Sequence, residues 1–278
     1  MYLEGYRDLV SAAGDLTWPD EPAFVWTSYA HITDEVFKVW AAEKSEAGSP
    51  LVIGQHGGTA QALFNGQREH GNRIADHRLT FGPAGAWAKG STSVGIWKAL
   101  PKVRKRRTGA VLVTEICPRF SHDLRSMIIA GQVLPYFEDQ FRFVAALSPV
   151  VRADLTVRMS RVDYGWAQSL RWKDRFPDIR LDDGRIPIFD LMRKTRLCIS
   201  SYNFTSYFES ISVDLPTVTY WNPQHWEVDP AAESYMDAFS RAGIFHDTPE
   251  SAARHVAHIW EDVESWWAGD AVRGAVDL

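Results

Sequence analysis

Short apolar runs bounded by glycine, proline and small polar residues recur along this chain, and they alternate with stretches at helical spacing. That alternation is the signature of strands buried on both faces in an α/β fold. The clearest case is Leu197 to Trp226. Leu197, Cys198 and Ile199 read as a strand that stops at Ser200-Ser201, and a polar turn then opens a helix near Thr205 with Phe208, Ile211 and Ser212 at helical spacing. Asp214-Leu215-Pro216 closes the helix, and Thr217 to Trp221 is a second strand ending at Asn222-Pro223. A strand, a short helix and a strand in this order make a βαβ unit with parallel strands and a right-handed connection.

The same pattern predicts further elements. Ala23 to Thr27 reads as a strand; Thr33 then caps a helix with Asp34 and Glu35 in its first turn and Val36, Phe37, Trp40 and Ala41 on its face, ended by Gly48 and Pro50. Leu51 to Gly54 is a buried strand delivering Gln55-His56-Gly57-Gly58 at its carboxyl end. The charged stretch Gln61 to Asp76 is either a loop facing a substrate or a solvated helix face. Gly82, Pro83, Gly85, Gly90 and Gly95, followed by the basic run from Pro101 through Arg107, mark a hinge. That divides the chain into a partial first lobe at 1–82, a linker at 83–108 and a second lobe at 109–278. In the second lobe, Ala110 to Thr114 and Asp154 to Met159 are strands, and Glu250 to Trp267 is a closing helix. Asp182-Asp183-Gly184 fits a turn better than a metal site, because adjacent carboxylates point apart.

Composition narrows the class. At 278 residues, with 45% hydrophobic and 23% charged positions, the chain is long enough for two cored lobes and is not disordered or fibrous. A net charge of -5 argues against a nucleic-acid binder. Two cysteines, Cys117 and Cys198, fall in or beside predicted strands and read as reduced core thiols, which suits a cytoplasmic setting. The segment MYLEGYRDLV does not read as a signal peptide, and no stretch of 18 apolar residues is present.

Candidate chemistry gathers at strand ends. A helix opening at Thr205 presents N–H groups and a partial positive charge, and the small polar residues Ser200, Ser201, Asn203, Thr205 and Ser206 surround that mouth, where a phosphate fits. Glu209, one turn in, suits a ribose diol. The other reading is that Ser and Thr only cap the helix. Trp221 and Asn222 end the following strand, with Trp226 beyond, and these tryptophans suit stacking on a sugar. Glu115, at the end of the 110–114 strand, suits proton transfer; Arg119 suits a phosphate or carboxylate, and His122 suits either role. Asp163 is a general base or a helix cap.

The residues Ser200 to Trp226, Tyr235 to Phe239 and Ala242 to Glu250, with Gln55 to Gly58, Ala75 to Gly82 and Val157 through Trp166, resemble a bacterial family of surface-carbohydrate transferases. That family is similar to GT-B glycosyltransferases and, more distantly, to the Kdo transferases of capsule synthesis. The resemblance implies two Rossmann-like lobes with parallel sheets; only one helix and two strands precede the linker, so the first lobe reads as incomplete, and the lack of a convincing Asp-x-Asp or His/Cys cluster points to a metal-independent enzyme with no cofactor. It implies a nucleotide-sugar donor, CMP-linked in the capsule case, and a glycan or lipid-linked acceptor facing His56 as base or hydrogen-bond donor, with Gln55, Gly57 and Gly58 beside it. Related capsule-type enzymes place a His-Pro pair where this chain has Met159-Ser160 or Ser160-Arg161, so Arg158 or Arg161 inherits the donor phosphate. An inner-membrane surface, a second copy and a partner subunit are further expected contacts. A nucleotide-sugar 2-epimerase of the same fold and a non-catalytic glycan-binding scaffold are the alternatives.

Overall fold

In the computed structural model, residues 4–57, 66–81, 90–96, 108–120, 128–226, 228 and 230–277 are described, without the side chains of 66–69 and 231. The chain divides into two compact units, Met1–Trp97 and Lys98–Leu278. Gly58, His122 and the basic run 101–107 lie outside the described residues.

The first unit is built on a parallel four-stranded sheet, β1 Val25–Thr27, β2 Leu51–Gly54, β3 His77–Thr80 and β4 Ser91–Ser93, in that spatial order. Val25, Leu51 and Ile53 pack with Phe37 and Ala41 of the Glu35–Glu46 helix, and Trp18 and Trp40 close the edge. The helix cap is Asp34, whose Oδ1 accepts the Phe37 N–H at 3.0 Å, not Thr33 as its sequence suggests. Thr33 instead ends a separate short helix, Ala30–Thr33. Gly48 stops the Glu35–Glu46 helix with φ of 101°, a conformation a side chain disfavours. The charged stretch after Gln61 includes a helix, Gly66–Ile74.

Two strands were not legible in the sequence of this unit. β3 carries His77 and Arg78, and β4 is Ser-Thr-Ser, so neither has the apolar run that marks β2. β4 also falls inside the stretch expected as a linker, and it pairs with β3 from Arg78 to Ser91 through Thr80 to Ser93. The first lobe therefore has four strands among its described residues rather than the two expected.

The second unit holds six parallel strands: β5 Ala110–Val113, β6 Leu155–Arg158, β7 Arg180–Asp182, β8 Leu197–Ser200, β9 Thr217–Tyr220 and β10 Phe245–His246. Their spatial order is β10-β9-β8-β5-β6-β7. Counting from β5, this is the doubly wound order 3-2-1-4-5-6 read from the far edge. β5, β8 and β9 are buried at every position, as expected for central strands covered on both faces. Gly109 enters β5 at φ 64°; a Cβ there would lie 2.6 Å from the Asp154 carbonyl oxygen, which accepts the Ala110 N–H. Trp172, Trp226, Tyr207, Tyr220 and Phe143 are fully buried in the core around these strands.

The tail is not one continuous helix. Thr248 caps Pro249–Ile259, a single tight turn follows at Trp260–Asp262, and Asp262 caps Val263–Trp267. Ala253, Val256, Ile259, Val263 and Trp267 are buried as the spacing implies. No helix among the described residues is long and apolar enough to cross a membrane.

Candidate active site

The order of the second sheet reverses between β5 and β8, so the chain leaves those two neighbouring strands in opposite lateral directions, and the carboxyl ends at such a switch point are where sheets of this class take their ligands. The ladder joining them runs from Ala110–Leu197 to Val113–Ser200 and closes with the Ser201 N–H on the Val113 carbonyl at 3.2 Å. Two residues beyond Val113, Glu115 follows the end of β5. Its backbone N–H donates to the Tyr136 hydroxyl at 3.1 Å, and that hydroxyl is 2.8 Å from Ser201 Oγ. The carboxylate accepts from its own neighbour, Ile116 N–H, at 2.9 Å and from Ser160. Burial pushes the Glu115 carboxyl above the usual carboxylate range, and the bonds from Ile116 and Ser160 offset only part of that.

The helix expected near Thr205 spans Thr205–Ser212. Its N-cap is Phe204, which has no side-chain cap bond, so the Ser and Thr residues around it do not serve as the cap. They are engaged elsewhere. Ser200 Oγ donates to the Tyr202 carbonyl at 3.0 Å, Ser201 Oγ donates to the Val113 carbonyl at 3.1 Å, and Ser206 Oγ is 2.6 Å from the Tyr202 hydroxyl. The expectation that Ser201 offers its hydroxyl proton to a phosphate is therefore corrected, since that proton goes to the Val113 carbonyl. Asn203 is fully buried with its Oδ1 accepting from the Tyr207 hydroxyl, while Nδ2 has no hydrogen-bond partner among the described residues. Glu209 is buried on the same helix, close enough to Cys198 to help hold that thiol up near 12, mainly through burial.

Trp221 and Trp226 are 2% and 1% exposed, packed against Tyr207, Phe245 and Tyr202, so neither presents a face to a sugar. Asn222 is part-buried and its Oδ1 accepts the Gln224 N–H at 2.9 Å, an Asx turn. These three residues have structural roles because β9 ends in the core rather than at an open rim.

Beyond β6 the chain forms a loop pinned on both sides. Asp163 accepts the Ala167 and Gln168 N–H groups at 2.9 and 2.7 Å at the mouth of the Gln168–Arg175 helix; burial pushes its carboxyl up, but these bonds outweigh burial and leave it lowered. A lowered carboxylate held by N–H groups is a poor general base, so that assignment of Asp163 is corrected. Arg158 is likewise committed: its guanidinium meets buried Asp182 at 2.6 Å and donates to the Ile186 and Gly184 carbonyls. It closes the β7 turn and is not available for a phosphate. Arg161 is exposed at a cavity of ≈ 260 Å³ lined also by Ser160, Gln168, Leu170 and Asp183. Trp166 donates its indole N–H to the Cys117 carbonyl at 2.7 Å, and exposed Arg119 lies 5.5 Å over the Trp166 ring. The loops after β5 and β6 are thus tied together beside Glu115.

In the first unit, His56 is exposed at the carboxyl end of β2, stacked on Tyr29 at 4.3 Å with Ser28 Oγ 3.5 Å from Nδ1. Gln55 is fully buried; its Nε2 donates to the Gly57 carbonyl at 2.6 Å and its Oε1 accepts the Phe81 N–H at 2.9 Å. Gln55 thus joins the exits of β2 and β3.

The sequence alone does not point to Tyr136 or to the indole of Trp166. Tyr136 sits within a long apolar helical run, Val133–Ala146, where an aromatic looks like core filling. Nothing in the spacing shows that its hydroxyl reaches two strand ends.

Among solved structures, the spinosyn rhamnosyltransferase SpnG superposes with a TM-score of 0.53 at 14% identity, over 99% of this chain and 71% of that one. An α,α-trehalose-phosphate synthase (UDP-forming) from Burkholderia vietnamiensis gives 0.51 at 12% identity, over 99% and 72%. TarM gives 0.48 at 9% identity, and this chain spans 46% of its length. The fold, two parallel-sheet Rossmann-like units, is GT-B-like. No curated protein matches the sequence. The model of the LIC12162 family transferase matches residues 1–278.

Proposed function

The chain belongs to the LIC12162 family of transferases, and from that membership we propose that it moves a glycosyl group from a nucleotide-activated donor to a glycan acceptor. The observation that carries this reading is the β5–β8 switch point. A carboxyl held above its usual range, a helix mouth without a side-chain cap and a buried Glu209 lie on the elements that flank one crevice. The donor's phosphates suit the N–H groups of the Thr205–Ser212 helix, and Glu209 suits the ribose. Arg161 and Arg119 remain the arginines suited to the donor's charge once Arg158 is assigned to Asp182.

In the step we propose, an acceptor hydroxyl oxygen bonds to the donor's anomeric carbon while the bond from that carbon to the phosphate oxygen breaks. The hydroxyl proton passes to the Glu115 carboxylate, and the phosphate leaves with the bonding pair, stabilised by helix N–H groups. Within the first unit, exposed His56 at the end of β2 is the candidate for binding a glycan hydroxyl. A surface glycan or a lipid-linked sugar is the acceptor class, and the reaction is metal-independent.

The test is a panel of CMP, CDP, UDP and TDP against the full chain, with UDP included because one neighbour of this fold is UDP-forming. A ligand at 100 times its Kd adds about 2.7 kcal/mol to stability. One nucleotide is expected to raise the thermal midpoint, and Glu115→Gln is expected to keep that shift while losing transfer by about 100-fold or more. A flat response to all four nucleotides ends the donor assignment.

A further inference from the structure

We propose that Tyr136 is the positioning residue of this site, its hydroxyl replacing the β5–β8 ladder at the point where the two strands part and thereby fixing Glu115. The inference rests on the proton-transfer role given to Glu115 above.

The hydrogen bonds have a single direction. The Glu115 N–H can only donate, so the Tyr136 oxygen accepts there. Its one proton then goes to Ser201 Oγ, 2.8 Å away, and Ser201 spends its own hydroxyl proton on the Val113 carbonyl at 3.1 Å. The chain of donors runs Glu115 N–H to Tyr136 to Ser201 to Val113, leaving from β5, crossing to β8 and returning to the last residue of β5. The ladder to β8 has already ended at Val113 and Ser201, and the bonds to β6 end at Thr114, whose N–H and hydroxyl both reach the Arg158 carbonyl at 3.0 Å, so the Glu115 N–H turns to Tyr136.

Tyr136 is buried, and burial raises its hydroxyl far above the ordinary tyrosine range, so it stays protonated and the direction is kept. Water cannot stand in for it. Removing the oxygen alone leaves the Glu115 N–H without its acceptor and Ser201 Oγ without its donor, while the ring continues to fill the core. The residue that follows Glu115 feels the change directly, because the Glu115 carboxylate is anchored on the Ile116 N–H.

The test compares the full chain with Tyr136→Phe, Ser201→Ala and the double variant. In Tyr136→Phe, amide exchange at 114–117 is expected to speed up by about tenfold or more, with β6 unchanged. With a nucleotide sugar that the unaltered chain turns over, kcat is expected to fall about tenfold or more, the nucleotide Kd to stay within about twofold, and the limb of the pH–rate profile set by Glu115 to move. The double variant is expected to be no worse than Tyr136→Phe, since both cut one chain of donors. Unchanged kcat and pH profile in Tyr136→Phe, with or without lowered stability, overturns the proposal. Where no donor is turned over by the unaltered chain, exchange decides: unchanged exchange at Glu115 overturns it, whereas faster exchange keeps the positioning role and removes only the transferase reading.

Discussion

At the scale of single residues, the roles of charged groups in this molecule are decided by who reaches them. Glu115 and Asp163 are both carboxylates at strand ends of one sheet, yet burial holds the first up and two helix N–H groups help hold the second down. A group whose folded pKa is raised keeps its proton longer in the folded state, so its contribution to stability falls as pH rises from its unfolded value toward the folded one. Glu115→Gln is therefore expected to flatten the fall in stability on the alkaline side of about pH 4.5, read as thermal midpoint against pH. An unchanged profile contradicts the burial of that carboxyl. Arg158 offers a second check. Truncating one partner of a buried ion pair costs about 3 to 5 kcal/mol because the other charge is stranded, so Arg158→Ala is expected to lower urea stability by roughly that amount without changing nucleotide affinity.

At the scale of elements, the loops after β6 and β7 are held by N–H bonds to Asp163 and by a left-handed glycine, in addition to the apolar packing of Met159 and Trp166. Asp163 accepts the N–H groups of Ala167, the N-cap, and Gln168 at the mouth of the Gln168–Arg175 helix, and Asp163→Ala is expected to cost about 1 kcal/mol in chemical denaturation. A loss of transfer out of proportion to that, at saturating donor, would restore its role as a base. Gly184 turns the chain after β7 at φ 79°, and a Cβ there would meet the Arg161 backbone nitrogen at 2.7 Å. Backbone of a neighbouring loop cannot swing aside as a side chain can. Gly184→Ala is expected to destabilise by about 2 kcal/mol or more, combining left-handed strain with the clash, and to displace Arg161 at the cavity; a neutral result in urea would show the loop to be free to adjust.

At the scale of the whole molecule, acid is expected to attack both units. His31, in Met1–Trp97, is held down to about 4 by burial first and then by Arg78, His70, Lys38 and His56. His255, in Lys98–Leu278, is held down to about 4 by burial and by His246 and His258. Both are neutral when folded at pH 7. The unfolded chain protonates them first, so stability present above about pH 6.5 is lost as pH falls toward 4. Thermal midpoints from pH 7.5 to 4.5 should decline, and His31→Gln and His255→Gln should each flatten that decline; equal slopes in all three proteins would refute it.

The sequence by itself determined the parallel α/β class, β2 with His56 at its end, β5 with Glu115 just beyond it, and the β8–helix–β9 unit. These rest on apolar runs and on turn residues adjacent in the chain, and such local preferences survive without knowledge of partners. It did not determine β3, β4, β7 or β10. Strands of two to four residues, polar or at a sheet edge, carry too little apolar pattern to separate from loops. Nor did it separate Glu115 from Asp163, free Arg158 from paired Arg158, or a stacking Trp221 from a buried one. Those distinctions depend on hydrogen bonds and burial between residues far apart in sequence, Tyr136 with Ser201 and Arg158 with Asp182 among them. Only the tertiary structure, by placing β5 next to β8 and reversing the sheet between them, decided which of the polar residues in the chain meet at one crevice.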